Sequence, residues 1–203
     1  MKISTTTLTT EAAFSEDGKK RYLLHKEWDT GKPQIAIIML APSDADGISL
    51  DKTTLQVLNN TVRLGYGGVY ILNLFSTLND YALRMVDAND EENMQVFHMV
   101  LDKVDTVIYA PGVGKAKNQI FIDRQKQICE ILKAHETKLQ CLCDDEGKSR
   151  LQHPLSPAVH IWYLSKVTVR EILGDSTKEV SEKKVSRIKK KTVPEDGTPF
   201  KGN

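Results

Sequence analysis

Apolar and polar positions alternate along this chain in two distinct rhythms. Ile35–Leu40 (IAIIML) is an unbroken apolar run rich in β-branched residues, the mark of a strand buried on both faces. Gly68–Phe75 (GVYILNLF) predicts a second such strand, Thr106–Ala110 (TVIYA) a third, and Leu139–Cys143 (LQCLC) a fourth. Between them the apolar residues recur every three or four positions. Asp51–Leu64 carries Leu55, Leu58 and Val62 at helical spacing, with Gly65 as its stop. Glu91–Lys103 repeats Met94, Phe97, Val100 and Leu101, and Lys115–His135 reads as a long helix with Ile120, Ile128, Ile131 and Leu132 inward. Arg21–Trp28 alternates like an edge strand, and Val159–Leu173 reads as a closing helix. Strands alternating with helices predict an α/β fold: a three-layer sandwich around a central, mostly parallel four-stranded sheet.

Ligands of such sheets sit beyond the carboxyl ends of the strands, so the residues that follow each run are the ones to read. After the first run come Ala41, Pro42, Ser43, Asp44, Ala45 and Asp46. A carboxylate there can orient a water, bind a metal, or simply close a turn. Asn73 interrupts the second run; its carboxamide suits a base edge, and equally it can pair with neighbouring backbone. Pro111-Gly112-Val113-Gly114-Lys115 follows the third. Amides at a helix start attract anions, so Lys115 is a phosphate candidate, but the spacing is far shorter than a triphosphate-binding loop. His153-Pro154-Leu155-Ser156-Pro157 follows the fourth; His153 is a candidate oxyanion donor and Ser156 a candidate phosphate contact.

Charge adds one feature. The chain has 203 residues with 28 Lys+Arg against 27 Asp+Glu, a net +1. Residues 178–203 hold eight Lys/Arg against four acids, so that segment is +4 and residues 1–177 are −3. The expected organisation is an N-terminal arm 1–19, one α/β domain 20–177, and a basic flexible tail 178–203 that either keeps the protein in solution or attracts phosphates. No apolar run approaches the roughly 20 residues of a membrane helix, and the Thr-rich start has no signal-peptide core. Cys129, Cys141 and Cys143 read as reduced, buried thiols, which points to a cytoplasmic address; they are too few for an iron–sulfur cluster, and no metal or cofactor motif is evident. No GxSxG, HExxH or strand-borne GxGxxG occurs, which removes most of the case for serine hydrolases, zinc proteases and dinucleotide-dependent dehydrogenases.

RYLLHKEWD (Arg21–Asp29), IIMLAPSDAD (Ile37–Asp46), LGYGGVYILNLFS (Leu64–Ser76), EEN (Glu91–Asn93) and HPL (His153–Leu155) together resemble the bacterial and phage domain-of-unknown-function family number 1643. More distantly, Ala41-Pro42-Ser43, Gly68–Asn73, Ala110-Pro111-Gly112 and His153–Pro157 resemble the motif series of the uracil-DNA glycosylase superfamily. That second likeness implies a glycosylase-like fold, with Asn73 reading a base, Pro42, Ser43 and Gly112 shaping its pocket, and His153 stabilising the departing base. Ala41 stands where that series carries a polar water-binding residue, so Asp44 or Asp46 takes that part or the chemistry is absent. The reading implied is a glycosylase-like hydrolase acting on nucleic acid or a nucleotide. The alternatives are a non-catalytic DNA-, RNA- or nucleotide-binding module of the same fold and an interaction protein without a small-molecule site. Oligomeric state and substrate are not written in the sequence.

Overall fold

The computed structural model describes residues 1–43, 48–84, 90–114 and 117–174. Asp44, Asp46, Lys115 and the basic segment 178–203 lie outside the described residues.

The sheet has seven strands rather than four. They are β1 (Thr9–Phe14), β2 (Arg21–Glu27), β3 (Gln34–Met39), β4 (Gly68–Asn73), β5 (Thr106–Tyr109), β6 (Leu139–Cys143) and β7 (Tyr163–Lys166). Their spatial order is β1-β2-β4-β3-β5-β6-β7. β3 pairs in parallel with β4 and β5, and β5 with β6, while β1, β2 and β7 add antiparallel pairs at the two sides, so the sheet is mixed. Three expectations change. The segment read as an N-terminal arm contributes β1, which pairs with β2 from Thr9↔Glu27 onward. Arg21–Trp28 is an interior strand, not an edge. Much of the closing helix is instead β7; only residues 169–174 are helical.

β3 shows why its run is continuous. Ile35, Ile37 and Met39 face one core, with Val69, Ile71, Ile108 and Val57. Ala36 and Ile38 face the other, with Leu72, Phe97, Val107 and Ile128. Successive side chains of a strand point to opposite faces, so a strand covered by helices on both sides needs apolar residues at every position.

The helices are α1 (Lys52–Arg63), α2 (Glu91–Lys103) and α3 (Gln119–Leu132). Val57 of α1 packs on the first face, and Phe97 of α2 and Ile128 of α3 pack on the second. The chain crosses from β3 to β4 on one side and from β4 to β5 on the other. That reversal sends α1 and α2 to opposite faces, and at such a switch the loops leaving neighbouring strands part to open a crevice.

Helix α1 is rotated from its predicted face. Thr54, Val57, Asn60 and Thr61 are buried, whereas Leu55 and Val62 are about half exposed. Two polar anchors set the rotation. The Trp162 amide donates to Asn60 Oδ1 at 3.1 Å, and Thr61 Oγ1 donates to the Val57 carbonyl at 2.7 Å. Gly65 ends the helix as predicted, at φ +86°. Helix α3 begins at Gln119 because Asn118 caps it, its side chain accepting from the amides of Ile120 and Phe121. The segment Lys133–Lys138 continues as a 3-10 helix. All three cysteines are free and buried, and burial pushes the Cys129 thiol up to about 12, which leaves it protonated and inert. Among the described residues no helix is long and apolar enough to cross a membrane.

Candidate functional site

A cleft of about 270 Å³ opens at the carboxyl end of β3. Met39, Ala41 and Ser43 form its floor, Asp51, Thr53 and Thr54 at the start of α1 one wall, and His153 and Leu155 another, with Arg21 and Tyr81 completing it.

Asp51 caps α1, its carboxylate accepting from the Thr54 amide at 2.6 Å. Burial works against its charge, but hydrogen bonds from Ser43 and Thr54 and the positive charge of Arg21 outweigh it and hold the carboxyl below the usual range. Asp51 is therefore ionised at neutral pH.

Arg21 opens β2 and is 2 % exposed. Its Nη1 donates to the Ser43 carbonyl and its Nη2 to Asn73 Oδ1, both at 3.4 Å. Burial lowers its pKa while Asp51 and Tyr81 oppose the shift, and a guanidinium stays charged under such conditions. Because β2 runs antiparallel to β4, its first residue, not its last, reaches the edge where the parallel strands end.

His153 lies in the loop after β6. Its Nδ1 accepts from the Leu155 amide at 3.2 Å, so the neutral ring carries its proton on Nε2. Burial pushes its pKa below the ordinary value, with Asp51 pulling partly the other way. Gly112, at φ +80°, packs against it: a Cβ there would stand 3.1 Å from His153 Cβ. Gly112→Ala is therefore expected to cost about 1–3 kcal/mol, from left-handed backbone strain and a displaced His153. Denaturant unfolding measures the cost, and a shifted His153 imidazole NMR signal reports the displacement.

The other sequence candidates take different places. Asn73 does not line the cleft. It is buried behind Arg21, its carbonyl accepts from Asn93 Nδ2 at 3.1 Å, and its own Nδ2 has no hydrogen-bond partner among the described residues. Ser156 turns its hydroxyl inward, donating to Gln152 Oε1 at 2.7 Å, and its amide donates to the His153 carbonyl at 2.8 Å, so it shapes the loop. Pro42 is buried, and its carbonyl accepts from the Asn79 amide. The stretch Gly112–Gly114 stops short of α3, which starts at Gln119. The structure thus brings Ser43 and His153 together with Arg21, Asp51 and Tyr81, which the reading of strand ends passed over. A charged residue opening an otherwise apolar strand was the available signal for Arg21, and a cap position just past the first loop was the signal for Asp51.

A second, more open groove of about 370 Å³ runs between α2 and α3 past Met94, His98 and Arg124. The Arg124 guanidinium lies 5.7 Å from the Phe75 ring centre and donates to Met94 Sδ, a packing role on the helix side of the sheet. The chemistry converges on the first cleft.

Residues 21–155, from the first cleft arginine to the loop carrying His153, match the family described as Protein of unknown function (DUF1643). The chain belongs to that family. No curated protein matches the chain. No solved structure matches it either, so the glycosylase likeness rests on the sequence motifs alone. The family's matched segment begins and ends on the cleft's walls, at Arg21 and Leu155.

Proposed function

We propose that this family member binds a nucleobase-bearing ligand in the Asp51–His153 cleft and hydrolyses its N-glycosidic bond. The observation that carries the reading is the pairing, in one cleft, of a carboxylate held ionised with an imidazole held neutral and protonated on Nε2. Environments that push two titratable groups toward complementary states are what acid–base chemistry needs. In this reaction a water adds to the anomeric carbon and gives its proton to Asp51. The C–N bond breaks, its electron pair leaves with the base, and the Nε2–H of His153 donates to the base as charge develops. Asp51 takes the water-orienting part assigned on sequence to Asp44 or Asp46. A carboxylate has about four acceptor sites, and its contacts with Thr54 and Ser43 leave room for a water.

The test is release of free base from nucleosides, nucleotides, single-stranded and duplex DNA, and RNA. Asp51→Asn is the informative variant, because Asn caps helices as well as Asp does and α1 stays formed. Release is expected to fall by about a hundredfold or more on losing the base. Absence of release by the wild-type protein across the panel overturns the reading.

Ala41 favours a second reading. Its methyl group lines the cleft where the glycosylase motif series carries a polar residue. On that reading the cleft binds the ligand without turnover, and the same panel shows binding with no free base.

A further inference from the structure

The cleft holds a cation that the hydrolytic chemistry does not use. Arg21 lies on its wall, and the phosphate contacts expected from sequence do not supply a substitute: the Ser156 hydroxyl is turned to Gln152. A guanidinium is a planar fork of N–H donors matched to two oxygens of a phosphate, and it binds that group better than any other side chain. It is also held in place. The Ser43 carbonyl and the Asn73 amide oxygen engage Nη1 and Nη2 from the protein side, and Asn73 is itself anchored through its carbonyl by Asn93. A fork fixed from behind loses less freedom when an anion arrives.

The charge pattern orients what enters. The start of α1, which would otherwise attract an anion, is already occupied by the Asp51 carboxylate. An incoming anion is therefore repelled from the Asp51 side and drawn to Arg21. The volume, about 270 Å³, lies near the lower end of small-molecule sites, which fits one nucleotide.

We propose that Arg21 is the phosphate-binding residue of the cleft and that the ligand is a mononucleotide, seated with its phosphate on Arg21 and its sugar toward Asp51. This rests on the reading of the cleft as a nucleobase site and adds the ligand class to it.

Isothermal titration of the full chain with four probes tests it: nucleosides, their 5′-monophosphates, inorganic phosphate, and a single-stranded oligonucleotide. A 5′-monophosphate is expected to bind on the order of tenfold to a hundredfold more tightly than its nucleoside, the range of a charge-assisted hydrogen-bonded contact. Arg21→Gln is expected to erase that preference with nucleoside affinity retained. Arg21→Lys keeps the charge and loses the fork, so it retains part of the preference. If Arg21→Gln does not fold, as judged by circular dichroism, Arg21→Lys decides through its reduced preference. Equal affinity of wild-type protein for nucleoside and monophosphate overturns the inference, as does inorganic phosphate binding as tightly as the nucleotides, an oligonucleotide binding far more tightly, or no binding by any probe. A phosphate preference without base release leaves this inference standing and removes the hydrolase. Base release from nucleosides without a phosphate preference does the reverse.

Discussion

Replacing His153 with Ala is expected to lower the rate of base release by about a hundredfold to ten-thousandfold, with the fold intact. The imidazole is the cleft's donor at the position where the leaving base gathers charge. Its tautomer is set by the Leu155 amide, which donates to Nδ1 and so leaves the proton on Nε2. Its charge state is set by burial, which lowers its pKa against the opposing pull of Asp51. Wild-type activity should therefore hold level above the ordinary histidine value of 6.5 and fall only on the acid side, below it. Protonation there would put a second N–H on Nδ1, facing the Leu155 amide, and break the loop's own hydrogen bond. The stability linkage has the same sign. The unfolded chain takes up this proton more readily than the folded one, so His153's contribution is present above pH 6.5 and is lost as pH falls through the folded value. A pH profile of kcat/KM for wild type and His153→Ala measures both effects. An unchanged rate in the variant removes His153 from the mechanism.

Trp162→Ala is expected to be the most damaging single change to stability, at about 3–5 kcal/mol. Trp162 is 1 % exposed and packs with Ile35, Ile37, Val57, Val69 and Leu142. It also ties α1 to the segment after the His153 loop, since its amide donates to Asn60 Oδ1 and its carbonyl accepts from Arg63 Nη2. Trp162→Phe is expected to cost much less. The indole Nε1 has no hydrogen-bond partner among the described residues, so removing it sacrifices no bond. Urea unfolding of the two variants gives the comparison. A Phe variant as unstable as the Ala variant would mean that the indole's polar atom matters and the packing account is incomplete.

The parts of the fold that were legible share one property: burial on both faces. β3, β4, β5 and β6 stand out because every position must be apolar when helices cover both sides of the sheet. β1 (TTEAAF) is mostly exposed and pairs with one neighbour only, so its sequence has no pattern to show. β7 (YLSK) is short and half exposed, and its apolar neighbours Val167, Val169 and Ile172 give the region a helical rhythm. The face of α1 was misread because a hydrogen-bonded Asn60 and Thr61 take the buried side, where the pattern favoured Leu55 and Val62. The site divides in the same way. His153 and Ser43 follow strands that run toward the cleft, so asking what comes after each strand finds them. Arg21 comes before a strand that runs the other way, and no reading confined to strand ends reaches it. Asn73 was placed correctly on its strand, but its amide serves the arginine in front of it, a relation that exists only once β2 lies against β4.

The cleft's walls come from residues 21, 39, 51, 81 and 153, which are far apart in the chain and adjacent only when the sheet is complete. No local opening can expose one wall and leave the rest competent. Ligand binding is thus coupled to global unfolding: a ligand at a hundred times its Kd should stabilise the entire fold by about 2.7 kcal/mol. Melting temperature then becomes a ligand detector that requires no knowledge of the reaction, and a compound library can be ranked by how far each member raises it.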